Sequence, residues 1–319
     1  MTQNATQDRF LGAVLGLAIG DAYGMPLFGL SRTTIADRYG QVLGYLPRAF
    51  PDGSEVGPGE ITDETEIALC IIESFTAAQG ELDPENIGIR MSYLARSDSH
   101  RWMSEQTLKA LNGPTEAHDY QLPLVDDEVV SGEVATRGIP IGLIHSIGTL
   151  DRLRLTSEAS VVARITHGSP LALSAVEAVA LAMSMAGRRV CSLDALGQSV
   201  LDLLPDGEVK FAVASTTRFE LDSADTAPAV IASALNIAGG APSFDDCLRA
   251  AAELGGAADS RAALAGALYA GYHGASAIPQ PLIDELEARI YVSLAVPWFY
   301  RTVARRAGAL IDLRGQDRS

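Results

Sequence analysis

The sequence is poor in cysteine and in aromatic residues. Its 319 residues contain three cysteines and two tryptophans, and aromatic residues make up 6% of the chain. Cys70, Cys191 and Cys247 are odd in number and show no C-x-x-C spacing. The sequence therefore predicts neither a disulfide framework nor a cysteine-ligated zinc site. This use of cysteine is typical of the reducing cytoplasm, where we expect the protein to function.

Basic residues are also scarce. The chain has 24 Lys and Arg against 40 Asp and Glu, which gives a formal net charge of −16. Because no run of basic residues offsets this acidic surface, we expect no nucleic-acid partner. Hydrophobic residues make up 47% of the chain and charged residues 20%, which excludes a disordered protein.

The first residues lack the basic start of a secretory signal. The most apolar early stretch, Phe10 to Ile19, is followed by Asp21 after about ten residues, whereas a membrane span needs about 20. We therefore expect no membrane partner.

Strand-like alternation is nearly absent, and helical spacing dominates. Apolar residues three and four apart predict helices at about 8–20, 65–78, 157–165, 170–186, 191–204, 226–238, 244–254, 260–273 and 282–310. Residues 210–221 are the one stretch that resembles a strand, and it has no clear partner. No Ser/Gly linker divides the chain. The sequence predicts an all-α fold, with one domain over residues 1–319, a core of about 8–313 and a frayed tail.

Many of the predicted helices are rich in Ala and Gly rather than in Leu. Gly12, Gly16 and Gly20 recur every four residues, and Ala263 and Ala267 lie on either side of Gly266. Small residues at this spacing let helix backbones approach closely. We therefore expect a compact bundle.

A hydroxyl and two carboxylates stand together at the start of a predicted helix, in the sequence Thr62-Asp63-Glu64-Thr65. Oxygen-only groups of this kind suit a hard cation such as Mg²⁺. Helix capping is the alternative, since Asp63 with Glu66 three residues later has the spacing of a capping box, and acidic residues favour the positive helix N-terminus. Taken alone, the pattern favours capping.

Two further acidic motifs allow the same two interpretations. Asp259 and Ser260 follow Gly255-Gly256 and open another small-residue helix, where they could equally serve as N-caps. Asp21 lies between Gly20 and Gly24. It could be presented by a sharp turn after the first helix, or simply lie where glycine ends that helix.

Two basic side chains complete the candidate residues. His167 lies in a break between two apolar helices, where a histidine is more often a helix-end residue than a catalyst. Arg137 could bind an anion or pair with an internal carboxylate, and its spacing favours neither.

Together, and in this order, the motifs resemble those of the ADP-ribosylglycohydrolase family over about residues 8–275. The matching stretches are G-x-x-x-G-x-A-x-G-D-A-x-G at 12–24, T-D-E-T at 62–65, R-x-x-P-x-G at 137–142, T-H at 166–167 and G-G-x-x-D-S at 255–260. The resemblance implies an all-α, orthogonally packed bundle with a central cleft.

The resemblance also implies a hydrolase that breaks a glycosidic bond at C1 of a ribose with the help of Mg²⁺. The metal ligands it implies are Thr62, Asp63, Glu64, Asp259 and Ser260, and among them the catalytic carboxylates are Asp63, Glu64 and Asp259. The substrate-binding positions it implies are Asp21, Gly132, Glu133, Arg137 and His167. The expected partner is a ribosylated small molecule or an ADP-ribosylated protein.

The sequence departs from the family pattern at several of these positions. Glu64 replaces an Asp, and Ala257 and Ala258 replace an Asp and a Thr, so we expect one Mg²⁺ site and doubt a second. Phe28 stands where the family often has a flap glutamate. Glu133 stands in the loop that cradles pyrophosphate, where its charge would repel the phosphates.

Three hypotheses follow from these matches and departures. The first is a metal-dependent ADP-ribosyl hydrolase. The second is an N-ribosyl glycohydrolase for a small nucleotide-like or nucleoside-like metabolite without the ADP moiety, which the altered phosphate loop suggests. The third is a catalytically inactive ligand-binding relative, because a fold does not guarantee a chemistry. The retained cluster at residues 62–65 favours an enzyme.

Overall fold

The computed structural model describes residues 5–112, 130–215 and 225–309. Regular structure there is almost entirely α-helical, so the predicted all-α class is confirmed. The helices are α1 (Ala5–Gly24), α2 (Arg32–Tyr39), α3 (Asp63–Ala77), α4 (Pro84–Leu94), α5 (Glu105–Leu111), α6 (Gly132–Thr136), α7 (Gly138–Ile144), α8 (Arg152–Ala163), α9 (Pro170–Arg188), α10 (Leu196–Leu201), α11 (Glu208–Ala214), α12 (Ala227–Gly240), α13 (Phe244–Ala252), α14 (Ala258–His273), α15 (Gln280–Asp284) and α16 (Arg289–Arg306).

Short elements connect some of these helices. Single 3-10 turns run over Met25–Leu27, Asp98–Arg101 and Ala275–Ala277. A small antiparallel hairpin, β1 (Arg48–Ala49) with β2 (Glu55–Val56), precedes α3.

The centre of the bundle is the pair α1 and α14. Every residue from Gly12 to Gly24 of α1 is buried, and so is every residue from Ala258 to Gly271 of α14. These two helices pack directly on each other, with α9, α12 and α13 against α14 and α16 against α1. A helix buried on all sides needs no polar face, which accounts for the Ala- and Gly-rich sequences of both.

Four glycines of α1, spaced four residues apart, form the contact with α14, which we call the glycine seam. A methyl group built on any of them would lie 2.1 to 2.3 Å from a backbone oxygen of α14. The pairs are Gly12 with Ala270, Gly16 with Gly266, Gly20 with Ala262 and Gly24 with Ala258. The predicted close approach of helix backbones is therefore confirmed.

Several predicted boundaries were wrong. α1 continues through Asp21 to Gly24, so Gly20 does not end it. The helix predicted at 282–310 is divided into α15 and α16, and 191–204 contains only α10 as an α-helix. The helices predicted from apolar spacing do not include α2, α4, α5, α6 and α7. Three of these begin at a side-chain N-cap, and the caps are Ser31, Asp83 and Ser104.

The strand predicted at 210–221 is also wrong over its described part, because residues up to Ala214 belong to α11. Val209 and Val213, four residues apart, are buried, whereas Phe211 between them is 66% exposed. The buried face therefore follows helical spacing and not alternation. The remainder of this stretch and the predicted tail lie outside the described residues.

Two helices are long and apolar enough to cross a membrane by length and composition. One spans Ala5–Leu27 and the other is α9, and most of each lies inside the bundle. Core helices of globular proteins meet the same criterion.

Candidate active site

Asp21 connects α1 to the start of α3. Its Oδ2 atom accepts hydrogen bonds from the backbone N–H groups of Thr62 (2.9 Å) and Thr65 (3.3 Å), and the hydroxyls of both threonines donate to the same carboxylate. Asp21 therefore satisfies the first amides of α3 from a neighbouring helix. Its carboxylate is fully buried and Asp21 lies within α1, so the sharp turn considered at this position is wrong.

Asp63 does not cap α3, so the capping-box interpretation is wrong. The N-cap residue is Thr62, which makes no side-chain capping bond. Asp63 is the first helical residue and 2% exposed, and its Oδ2 atom has no hydrogen-bond partner among the described residues. Glu66 does not reach back to the helix start and instead accepts a hydrogen bond from Ser99 (2.8 Å).

Glu64 joins the start of α3 to the start of α14. Its Oε1 accepts a hydrogen bond from the Ser260 hydroxyl (2.6 Å), and its Oε2 lies 3.1 Å from the Thr62 hydroxyl. Asp259 is the second residue of α14 and accepts the backbone N–H of Ser260 (2.7 Å). The N-cap of α14 is Ala257, which has no polar side chain. The interpretation of Asp259 or Ser260 as an N-cap is therefore wrong.

The Thr62 hydroxyl shows how crowded these acids are. Its oxygen contacts both the Asp21 carboxylate and the Glu64 carboxylate. A hydroxyl has one proton, so it can donate to only one of them at a time. One carboxylate oxygen beside Thr62 therefore needs another proton or a positive charge.

Burial is the main cause of the unusual pKa values of this cluster. It raises the pKa of Asp21 to about 7, and the Glu64 charge adds to the effect. Burial also raises the pKa of Asp63, of Glu64 and of Asp259. The Glu64 charge raises the pKa of both aspartates further. The hydrogen bond from Ser260 partly offsets the rise in the pKa of Glu64. Each ionised form is thus costly in the absence of a compensating cation.

Glu133 and Arg137 form a buried ion pair. Arg137 Nη2 donates to Glu133 Oε1 at 2.8 Å, and the Thr107 hydroxyl donates to the same oxygen at 2.6 Å. Burial alone would raise the pKa of Glu133, but the Arg137 charge and the hydroxyl donors hold it below its ordinary value. Arg137 is thus an internal partner, and Glu133 does not present the unbalanced charge that the sequence predicts.

His167 lies fully buried between α8 and α9. Its Nδ1 atom is 2.8 Å from the Thr166 hydroxyl, to which Arg137 also donates. Its Nε2 atom is buried and has no hydrogen-bond partner among the described residues. Burial, with the Arg137 charge, lowers the pKa of His167 to about 4, so the ring is neutral at pH 7.

Gly132 brings α6 against the start of α14. A methyl group at Gly132 would lie 2.9 Å from the Cβ atom of Ser260. Thr62, Glu64 and Ser260 are joined by hydrogen bonds, and the Glu133 charge raises the pKa of Asp63 and of Glu64. The starts of α3, α6 and α14 thus lie together. Asp21 of α1 joins them through Thr62, and His167 joins them through Thr166 and Arg137. Their roles stay predictions.

Four further polar residues support the cluster and were given no role from the sequence. They are Thr65, Thr107, Thr166 and Arg261. Arg261 is 1% exposed and donates to the carbonyl of Gly255 (2.6 Å) and the hydroxyl of Ser233 (3.0 Å). In the sequence, Arg261 stands two residues after Asp259, and this spacing is the one local sign that it supports the cluster. In the structure, its charge lowers the pKa of that aspartate.

The cluster has the donor set and the charge for a hard cation. Its described side chains include five buried carboxylates and two buried guanidinium groups: Asp21, Asp63, Glu64, Glu133 and Asp259 against Arg137 and Arg261. The excess is negative, and the oxygen-only donors fit Mg²⁺ better than a softer metal. Within the described ranges, however, no three His, Cys, Asp or Glu side chains are grouped as ligands of one ion. Hydroxyl groups of Thr62, Thr65 and Ser260 join the carboxylates instead.

Nearly the whole sequence, and not the cluster alone, matches one protein family. The sequence profile of the ADP-ribosylglycohydrolase family matches residues 2–317. The chain belongs to this family. An ADP-ribosyl-[dinitrogen reductase] glycohydrolase from Rhodospirillum rubrum is 27% identical, with 99% of this chain and 100% of the relative covered. An ADP-ribosylarginine hydrolase, Tri1 from Serratia proteamaculans, is 26% identical over 93% of this chain and 81% of its own length.

Other ADP-ribosylglycohydrolase relatives extend the comparison. A protein of Archaeoglobus fulgidus, named only as uncharacterized, is 30% identical over 90% of this chain and 94% of its own. A solved structure titled "ADP-ribosylglycohydrolase-related protein complex" superposes with a TM-score of 0.77 at 28% identity, covering 94% of this chain and 99% of that one. Membership of this family supports a glycohydrolase activity on ADP-ribosylated substrates.

Proposed function

We propose that this protein is an Mg²⁺-assisted hydrolase that releases ADP-ribose from a side chain of an ADP-ribosylated polypeptide. The observation that carries the proposal is the group of buried carboxylates at the facing starts of α3 and α14, whose negative charge exceeds the positive charge around it. The name of one relative, which refers to dinitrogen reductase, supports a protein substrate, and the name of another, which refers to ADP-ribosylarginine, supports an arginine linkage.

The residues that would hold Mg²⁺ are Thr62, Asp63 and Asp259, with Glu64 and Ser260 completing the donor set. Asp63 Oδ2 has a free lone pair for this purpose, because no hydrogen-bond donor among the described residues reaches it. Bound Mg²⁺ supplies positive charge that polarises a ribose hydroxyl and acidifies water. Since Ala257 and Ala258 supply no oxygen ligand from their side chains, we propose one ion and not two.

The chain's own side chains would handle the proton. Glu64 and Asp259 are the candidates for the group that deprotonates water, because both carboxylates lie at the facing helix starts that would hold the ion. The water oxygen bonds to C1 as the bond from C1 to the side-chain nitrogen breaks. The proton then passes from the carboxylate to the leaving nitrogen, so atoms and charge balance.

His167 would bind the substrate through its free ring nitrogen. Arg137 donates to the Thr166 oxygen, so the Thr166 hydroxyl proton is available to His167 Nδ1. That assignment places the ring hydrogen on Nε2, which can then donate to a ribose or phosphate oxygen. Asp21 acts on the substrate indirectly, because it holds the start of α3 in position.

The two alternative functions have less support. The small-metabolite alternative depended on an unbalanced charge at Glu133, and Arg137 balances that charge. The inactive-relative alternative rested on the carboxylates missing at Phe28 and Ala257. Against it, Asp63 and Asp259 are buried acids that are not the N-caps of their helices, so capping does not account for them.

The test is the release of ADP-ribose from an arginine-ADP-ribosylated polypeptide, measured by mass spectrometry with chelator-stripped protein. We expect release with Mg²⁺ and little without it. Asp63→Asn and Asp259→Asn should each reduce the rate at least about 100-fold. The matched control is Asp245→Asn, since Asp245 is an exposed acid in the first turn of α13.

Other outcomes separate the alternatives. Release that survives both the chelator and Asp63→Asn would overturn the proposed metal-carboxylate site. Cleavage of nucleosides but not of the ADP-ribosylated polypeptide would favour the small-metabolite enzyme. A thermal shift with ADP-ribose and no cleavage of any substrate would identify an inactive relative.

A further inference from the structure

An acidic pocket of about 400 Å³ lies between α3, the 3-10 turn Asp98–Arg101 and the start of α16, and its lining residue Ile61 directly precedes Thr62 of the buried carboxylate cluster. Four of its lining side chains are carboxylates and two more are aromatic. They are Glu60, Glu66, Asp98, Glu287, Trp102 and Tyr291. A concave site with acidic and aromatic walls fits a cation that is also flat enough to stack.

The chain already places one guanidinium group in this pocket. Arg101 pairs with Glu60 at 2.5 Å and stacks over the Trp102 ring, 4.6 Å from its centroid. Arg101 forms an ion pair with one of the four carboxylates, Glu60, and its charge also lowers the pKa of Glu66. Glu66 keeps a buried oxygen, Oε2, without a hydrogen-bond partner among the described residues, and the charges of Glu60 and Glu287 both repel it.

An exposed apolar surface begins at the same pocket. Ile290, Leu294 and Trp298 are four residues apart on α16 and are 62 to 67% exposed. Tyr291, which lines the pocket, is 47% exposed and connects the two features. We call these four residues the α16 stripe. A continuous apolar surface of this kind is typical of a protein interaction site.

We propose that the acidic pocket and the α16 stripe together bind a segment of the polypeptide substrate. In that segment an unmodified arginine lies next to apolar residues. The arginine enters the pocket, where the carboxylates of Glu66 and Glu287 accept its N–H groups and Tyr291 offers a ring face. The neighbouring apolar side chains cover the α16 stripe. This inference rests on the proposed function only in naming the bound polypeptide as the substrate.

The location favours a substrate contact over an unrelated partner. Glu60 and Ile61 directly precede Thr62, and Glu66 lies one helical turn after Asp63. A segment bound there therefore lies beside the residues that would act on the ADP-ribosyl group. The net charge of −16 would also speed the encounter with a basic segment and make binding sensitive to salt.

The two tryptophans of the chain lie one in each part of this surface, which provides a direct readout. In a Trp298→Phe variant, Trp102 is the remaining tryptophan and reports on the pocket. The probe is a blocked peptide, acetyl-Ile-Arg-Leu-amide, and its control is the same peptide with citrulline, which is neutral but similar in shape. Isothermal titration calorimetry on the unaltered protein measures the same binding without a substitution.

We expect the arginine peptide to bind saturably and at least tenfold more tightly than the citrulline peptide, with weaker binding in higher salt. Glu66→Gln with Glu287→Gln should weaken binding tenfold or more, and Leu294→Ala should weaken it severalfold. Glu105→Gln, an exposed acid outside the pocket, should change nothing. The variants should keep the circular dichroism spectrum of the unaltered protein.

Equal binding of the two peptides, or no heat and no fluorescence change with either, would overturn the proposed docking surface. The measurement uses neither ADP-ribose nor turnover. Failure here with intact ADP-ribose release would therefore remove only the docking surface, and peptide binding without ADP-ribose release would remove only the proposed activity.

Discussion

Asp63 is a carboxylate that the fold buries without giving its Oδ2 atom a hydrogen-bond donor from the described residues. The charges of Glu64, Glu133, Asp21 and Asp259 all raise its pKa further. A group in this position destabilises the protein unless a cation binds to it. Residues kept at a cost in stability are typical of functional sites, where local rules of packing and charge are broken for the sake of chemistry.

Replacing Asp63 by Asn should therefore stabilise the metal-free protein. The substitution keeps the size of the side chain and removes one of several repelling charges, and we expect a gain of about 1 kcal/mol, or a few degrees in melting temperature. Thermal unfolding followed by circular dichroism in the presence of a chelator measures it. Asp245→Asn should leave the melting temperature within error, and a lower value for Asp63→Asn would show that Asp63 is a structural residue.

At the scale of elements, the glycine seam sets how close α1 and α14 lie, and that distance places two acids of the cluster. Asp21 follows Gly20 on α1, and Asp259 precedes Ala262 by less than one turn on α14. Any side chain between the two backbones would separate Asp21 from the start of α14. The seam is therefore both a packing contact and the support of the site.

Gly20→Ala should cost about 3 kcal/mol, because its methyl group would lie 2.1 Å from the Ala262 carbonyl oxygen and a backbone cannot move away as a side chain can. Urea unfolding measures the loss, and ADP-ribose release should fall with it. The control is Gly197→Ala in α10, where an added methyl group meets nothing within 4 Å. That change should instead stabilise by roughly 0.5–1 kcal/mol.

Glu158 of α8 connects two other elements. It lies 2.8 Å from His145 Nε2 at the end of α7 and is paired with Arg306 of α16. Burial alone would raise the pKa of Glu158, but the hydrogen bonds from His145 and Arg306 lower it from 4.5 to about 2. The carboxylate thus stabilises the folded state above its ordinary pKa, and this contribution is lost as the pH falls from about 4.5 to about 2.

Acid should therefore destabilise the unaltered protein more steeply than a Glu158→Gln variant. The contribution at neutral pH is about 3 kcal/mol by the size of the shift, and it should decline across the stated range. Unfolding free energies from urea titrations at pH 6, 4 and 3 would show the two proteins converging as the pH falls. The control is Glu85→Gln, at an exposed position of α4, whose unfolding free energy should change with pH as that of the unaltered protein does. The same pH dependence in Glu158→Gln would contradict the prediction.

Features were predictable from the sequence where the residues that define them lie close together in the chain. The central helices and the acidic motifs at residues 62–65 and 259–260 are visible in the sequence, because spacing and residue type define them. The bonds from Thr62 and Thr65 to Asp21 join residues more than 40 positions apart, and no local pattern signals them. The Glu133–Arg137 pair did have a local sign, since the two residues are four apart on successive helical turns.

At the scale of the whole molecule, the candidate site is assembled from five distant parts of the chain. Asp21, residues 62–64, residues 132–137, His167 and residues 259–260 meet only when α1, α3, α6 and α14 have packed. The site therefore exists only in the fully folded bundle, and a ligand bound there stabilises the bundle as a whole.

We expect the protein to unfold in one cooperative transition, because the other helices that carry the candidate site, α1, α3 and α6, all pack against α14. Tryptophan fluorescence, which reports on Trp102 and Trp298, and far-ultraviolet circular dichroism should give the same midpoint in urea. Mg²⁺ with ADP-ribose should raise that midpoint equally for both signals. Two separated midpoints would show independently folding parts, and a ligand shift in one signal alone would place the site in one of them.

The regular spacing of the glycine seam has a consequence for folding. Its four pairs are nearly equivalent, so α1 displaced by one step of four residues, about 6 Å, could still pack small residues against α14. Such a slipped pairing would keep most of the helix contact while moving Asp21 away from Thr62 and Thr65. The polar contacts of Asp21 thus fix the register that the seam leaves ambiguous, and a chain without them would have a ready kinetic trap during refolding.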